Sequence, residues 1–245
     1  MDETRALVVF TPAESKRLIS IAIASLPEVK GALRKGRIII GSGTTNAYIV
    51  EKLTGREIDK FWYAAGRIAD GELGANKAEK RIPPVVLIDG RVTRRKPVDV
   101  LEEFTSDDVF IKGANAVDST GLAGVLMGDP RGGTIGLSIG VIMARGAHLI
   151  VPVGLEKLIP SVAAATRACG QERFQYSMGD KVGMMPLVGS RVITEIGALD
   201  LLYGVRAVHV ASGGVRGSEG SVILAIEGTK KTVRKAFDSI KKIKI

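Results

Sequence analysis

The stretch that decides the fold is RIIIGSGTTNAYIVEKL, residues 37–53. Three isoleucines in a row (38–40) read as a short strand buried on both faces. GSGTT (41–45) has the glycines for a sharp turn, and NAYIVEKL (46–53) has apolar residues at helical spacing. A strand, a glycine loop and a helix in that order place the first amides of the helix beyond the carboxyl end of the strand. Those amides and the helix dipole favour an anion there, and Thr44 and Thr45 add hydroxyl donors. The loop lacks both GK[ST] and GxGxxG, so it is neither a Walker loop nor a dinucleotide fingerprint.

The same alternation continues outward. TPAESKRLISIAIASL reads as a helix, with Thr11 as N-cap, Pro12 at its first position and Glu14 completing a capping box. FWYAAG (61–66), PVVLIDGRV (84–92), DVFIKG (108–113) and AHLIVPV (147–153) read as strands. ADGELGANKAEKR (69–81) reads as a loop, and VDVLEEF, TIGLSIGVIMARG and LEKLIPSVAAATRACG read as helices. The expected class is α/β, a mostly parallel sheet covered by helices on both faces. After about residue 184 the pattern changes to strand, helix, strand, strand, helix. That predicts an α/β ligand-binding domain over 1–184 and a small α+β, ferredoxin-like subdomain over 185–245.

Composition narrows the function classes. The chain has 245 residues and a net charge of +9, with 4% aromatics. Its core must therefore rest on Ile, Val, Leu and Ala. Basic residues share the last helix with apolar ones (Lys230, Lys231, Arg234, Lys235, Lys241, Lys242, Lys244). With no aromatics interleaved, this is the pattern of a solvated face and argues against a nucleic-acid platform. Cys169 is the sole cysteine, which fits a reducing, cytoplasmic setting and excludes a cysteine-built zinc site. His148 and His209 are the only histidines, and both sit in apolar, strand-like runs. No metal and no cofactor is expected. MDETRALVVF lacks the layout of a signal peptide, and the apolar region 134–155 is broken by Arg145 and His148, so no membrane span is expected.

A second segment, DDVFIKGANAVDSTGLAG (107–124), stands one strand further along. Taken together, the two segments resemble the fold shared by ribose-5-phosphate isomerases, DeoR-type sugar-phosphate sensor domains and coenzyme A transferases. The loop is similar to the DSGTT of DeoR-type domains, with Leu53 matching a leucine near the end of their helix. Asp108, Phe110, Gly113, Ala114, Asn115, Asp118 and Gly121-Leu122 match their second motif. The resemblance covers roughly residues 12–160 and implies a sugar-phosphate or nucleotide-like ligand. Only 36 residues precede RIII, which is too few for the helix-turn-helix domain of those repressors, so the fold is expected to stand alone. Self-association is common in such folds, so a homo-oligomer is also an expectation.

The isomerase chemistry implied by the resemblance needs a carboxylate base. This chain has Lys112 and Asn115 where the first two acids would stand, and only Asp118 matches. GDPRGGTIG (128–136) stands in place of the lysine-glycine run. Its Arg131, Gly132 and Gly133 are a candidate second anion loop. Lys157, after AHLIVPV, is a candidate lining residue. The expected ligand-binding set is thus Ser42, Gly43, Thr44, Thr45, Lys112, Gly113, Asn115, Asp118, Arg131, Gly132, Gly133 and Lys157. Its partner is a small phosphorylated or anionic molecule. Catalytic roles are open, with Asp118 and Asp129 as acid/base candidates if the protein is an isomerase or acyl transferase with rearranged residues. Glu195, in RVITEIGAL, is similar to the glutamate nucleophile of coenzyme A transferases, although Thr194 capping a helix explains the run as well. Arg216 stands in GGVRGSEGS (213–221), either a hairpin tip over the site or an ordinary turn. A non-enzymatic assembly or nucleic-acid role through the last helix is the remaining alternative.

Overall fold

The strand Arg37–Ile40 is the pivot of the molecule, because Ile38, Ile39 and Ile40 are all fully buried. The computed structural model describes residues 3–243. In chain order the elements are β1 (Glu3–Phe10), α1 (Pro12–Ser25), α2 (Pro27–Arg34), β2 (Arg37–Ile40), α3 (Thr44–Thr54), β3 (Gly66–Ala69), β4 (Glu72–Ala75), β5 (Val85–Ile88), β6 (Arg91–Thr93), α4 (Pro97–Leu101), β7 (Val109–Ile111), β8 (Ala116–Val117), β9 (Ala123–Met127), α5 (Gly133–Arg145), β10 (His148–Pro152), α6 (Val162–Ala168), β11 (Gly183–Pro186), β12 (Arg191–Ile193), α7 (Glu195–Tyr203), β13 (Arg206–Gly213), β14 (Ser221–Thr229) and α8 (Lys230–Ile243).

The central sheet has six strands in the order β12-β10-β7-β2-β5-β6. β12, β10, β7 and β2 pair in parallel, while β5 runs antiparallel to both β2 and β6. The α/β class is as expected, but the sheet is mixed. PVVLIDGRV is two strands rather than one. Asp89 (φ 48°) and Gly90 (φ 73°) turn the chain back on itself, which is the geometry of a two-residue hairpin. The same Asp-Gly signal makes a hairpin of β3 and β4, where a loop was expected. FWYAAG is a turn over Phe61–Tyr63 rather than a strand.

Period-two alternation divides the sheet's side chains between two apolar clusters. Ile38 and Ile40, Val109 and Ile111, and Ile150 join residues of α1, α2, α3, α7 and α8 on one side. Ile39, Phe110, Leu149 and Val151 join Val100 and Leu101 of α4 and Ile135 and Ile142 of α5 on the other. Truncating any of these to alanine should cost about 2–5 kcal/mol.

The C-terminal sheet is assembled from both ends of the chain. Its order is β1-β14-β13, all antiparallel, with β1 paired to β14 from Glu3–Thr229 to Phe10–Val222. RVI (β12), expected to open the C-terminal unit, is instead the edge of the central sheet, and β1 takes the third place. Val233, Ala236 and Ile240 of α8 pack inward while Lys230, Lys231, Arg234, Lys235, Lys241 and Lys242 are exposed. Lys244 lies outside the described residues. No helix among the described residues is long and apolar enough to cross a membrane.

Candidate functional site

Parallel strands end on one edge of the sheet, and that edge carries the chemistry. Ile40 is in register with Ile111, and Pro152 with Ile193. One more rung follows: the amides of Gly41, Lys112 and Val153 donate to Ile111 O (2.9 Å), Ile150 O (3.0 Å) and Ile193 O (3.1 Å). The chain then leaves the sheet in three adjacent loops, 41–43, 112–115 and 153–157. In open α/β sheets the crevice beyond such carboxyl ends is where ligands bind.

The first loop is held from outside. Tyr63 is fully buried and donates its hydroxyl to Ile40 O (2.6 Å), while its carbonyl accepts the Gly43 amide (3.0 Å). The Val85 amide donates to the same hydroxyl (3.1 Å). Burial raises the phenol's pKa, so the group stays a neutral donor. Gly43 takes φ 151°, ψ 150° as the N-cap of α3, a conformation that favours glycine, and no side chain caps the helix. The first amides of α3, from Thr44 onward, are therefore left to a partner outside the helix. Asn46, with no solvent exposure, donates through Nδ2 to Gly41 O (2.6 Å) and Ile111 O (3.3 Å). Its Oδ1 is buried without a hydrogen-bond partner. It lies beside Gly113, where an added methyl would stand 3.7 Å from it.

Two lysines enter from the neighbouring loops. Lys112 runs along Gly41, where an added methyl would meet its Cδ at 3.3 Å, and its ammonium donates to Gly113 O (3.1 Å). The ammonium of Lys157 donates to the next carbonyl, Ala114 O (3.0 Å), and stands 4.0 Å from Glu156. Burial and the neighbouring Lys157 charge bring the Lys112 pKa down to about 8. Burial also lowers that of Lys157, which Glu156 partly opposes. Glu195, with no solvent exposure, is pushed up to about 7 by burial.

The structure thus brings Ser42, Gly43, Thr44, Thr45, Lys112, Gly113 and Lys157 to one edge. Thr45 is buried, and Ser42 and Thr44 are half-buried. Other expected residues serve elsewhere. Asn115 is exposed and accepts the Leu126 amide (3.0 Å). The Asp118 carboxylate closes the 118–122 turn through Thr120 N, Thr120 Oγ1 and Leu122 N, and it caps α6 by accepting Val162 N (2.9 Å). Those bonds, Thr120 first, hold its pKa below the ordinary value.

Asp129 is exposed and accepts the Arg131 amide (2.8 Å). Its loop opens on a separate depression of about 360 Å³, which Asp129 and Gly132 line with Gln171 and Arg173. Among the described residues, no hydrogen bond or ion pair joins 128–133 to the GSGTT loop. Arg216 is exposed at the β13–β14 tip, and His148 lies at the amino end of β10. No group of three or more His, Cys, Asp or Glu residues is placed to hold a metal among the described residues.

Sequence reasoning missed Asn46 and Tyr63. The signal for Asn46 was its place in the first turn after the glycine loop, where an amide side chain can reach back to the strand. Nothing local marked Tyr63, because its partners are twenty or more residues away.

A scan of family models, a search of curated proteins and a search of solved structures each return no match for this chain.

Proposed function

We propose that this protein binds a small phosphorylated or otherwise anionic molecule in the crevice beyond β2, β7 and β10. The amides of Thr44 and Thr45 and their hydroxyls would hold the anion, with Lys112 and Lys157 supplying positive charge. The observation that carries the reading is the pair of lysines. Their ammonium groups sit on consecutive backbone carbonyls, and among the described residues no carboxylate offsets the charge of Lys112. Two like charges in a half-buried site repel, and a bound anion relieves that cost. The uncapped α3 start leaves further donors for an anion. The resemblance to sugar-phosphate isomerases and sensor domains points to the same ligand class. Asp118, engaged in its turn and in the α6 cap, favours binding over isomerase-type proton transfer by that residue.

The test is a melting-temperature titration with inorganic phosphate, glycerol phosphate and ribose phosphate. A ligand at a hundred times its Kd adds about 2.7 kcal/mol. A saturable rise with a phosphorylated compound, larger than with sulfate at equal ionic strength, supports the reading. No rise with any of them sinks it.

A further inference from the structure

Lys112 differs from an ordinary anion-binding lysine in three ways. Its backbone is fixed at the end of a buried central strand, through the bond from its amide to Ile150 O. Its side chain is laid along Gly41, the first residue of the glycine loop that leads into α3. The only hydrogen-bond partner of its ammonium among the described residues is a neutral carbonyl. Lys157, by contrast, has the Glu156 carboxylate 4.0 Å away, which favours its charged form. A lysine next to another cation in a desolvated site is the arrangement that releases a neutral, nucleophilic amine near physiological pH. The lowering of Lys112 to about 8 agrees with the geometry.

We propose that Lys112 is a nucleophilic amine that forms an imine with the carbonyl carbon of a phosphorylated aldehyde or ketone whose phosphate rests on the α3 start. This rests on the anion-binding reading above. In the step, the Nζ lone pair forms a bond to the carbonyl carbon, and the carbonyl π pair moves to oxygen, which takes a proton from solvent. Nζ then loses a proton, the hydroxyl is protonated and leaves as water, and the nitrogen lone pair closes the C=N bond. The product is an iminium with one water released, and nothing is oxidised or reduced. A phosphate on the same molecule balances the positive charge left on the nitrogen.

The experiment uses the full chain, glycolaldehyde phosphate and sodium cyanoborohydride, which reduces the iminium to a stable secondary amine. Peptide mapping by mass spectrometry then locates the adduct. The expected result is Lys112 as the dominant site, labelled at least tenfold more slowly when glycerol phosphate saturates the crevice. Free glycolaldehyde should also label it at least tenfold more slowly. Label on Lys157, or spread over surface lysines without protection, overturns the assignment. Labelling of Lys112 that ignores both phosphates overturns the substrate class. If glycerol phosphate binds in the melting titration but Lys112 stays unlabelled, the amine proposal falls and the binding reading stands. If neither occurs, both fall.

Discussion

Glu195, the first residue of α7, accepts the amide of Leu155 at 2.9 Å from its Oε2, inside a site with no solvent exposure. Burial there raises the acid from 4.5 to about 7, against the Leu155 hydrogen bond that favours the ion. A folded-state pKa above the unfolded one makes this group's contribution complete below about pH 4.5. It is lost as the pH rises toward about 7, because only the unfolded chain then ionises freely. Glu195→Gln keeps an acceptor for Leu155 and cannot ionise. Relative to the wild type, it should gain about 3 kcal/mol between about pH 4.5 and 8 in urea denaturation. A difference between the two proteins that stays constant with pH would mean that Glu195 titrates as an ordinary acid.

Asp118 is predicted to be a structural carboxylate. Its oxygens accept Thr120 N, Thr120 Oγ1, Leu122 N and Val162 N, and so join the turn after β8 to the start of α6. Asp118→Asn retains one acceptor oxygen and sets an amide group against donors. We expect a loss of about 2–3 kcal/mol of stability. The wild-type advantage should be present above about pH 4 and fade as the pH falls, since the folded-state pKa is lowered. Unchanged stability with a selective loss of any turnover would return Asp118 to the catalytic candidates.

What was legible in the sequence follows the range of the interactions involved. RIII, its loop and α3 are local: apolar run, glycines and helical period occur in consecutive residues, and the reading was direct. The α1 capping box, with Thr11 and Glu14 bonded reciprocally, was legible for the same reason. β1 was not, because its order depends on β14 more than two hundred residues away. Its burial alternates along its length, but only Val8 and Phe10 are fully buried, and the acidic start of the chain conceals the pattern. β3 and β4 are only four residues each and hold a glycine apiece, so only their Asp-Gly turn marked them. The site divided along the same line. Gly43 and Thr44 follow from the loop itself, whereas Lys112 and Lys157 stand out only through the resemblance to the isomerases. The commitment of Asp118 to Val162 N, and of Tyr63 to Ile40 O, is tertiary and has no sequence signature.

Tyr63 is predicted to set the stiffness of the glycine loop. Its hydroxyl bonds both Ile40 O and Val85 N, and its own carbonyl holds Gly43 N. Tyr63→Phe strands a buried carbonyl and a half-buried amide, which should cost about 1–3 kcal/mol. It should also raise hydrogen exchange at Gly41 and Gly43 more than at β10, on the far side of β7. Uniform exchange across the sheet would show that the hydroxyl contributes only to global stability.

The anion reading makes its sharpest demand on Thr44 and Thr45. Valine matches the shape of threonine and leaves the α3 amides in place, so the double variant removes two hydroxyl donors and little else. Neither hydroxyl donates to another protein group among the hydrogen bonds of the described residues. The unliganded protein should therefore stay within about 0.5 kcal/mol of wild type. Affinity for glycerol phosphate, measured by calorimetry, should fall at least tenfold, about 1.4 kcal/mol, because a bound anion would lose the hydroxyls that face it. Lys112→Met should lower it too, and more steeply at low salt than at high salt, since the lysine acts through charge. An unaltered affinity in the threonine variant, with Lys112→Met still weakening binding, would move the anion off the α3 start and onto the lysines alone.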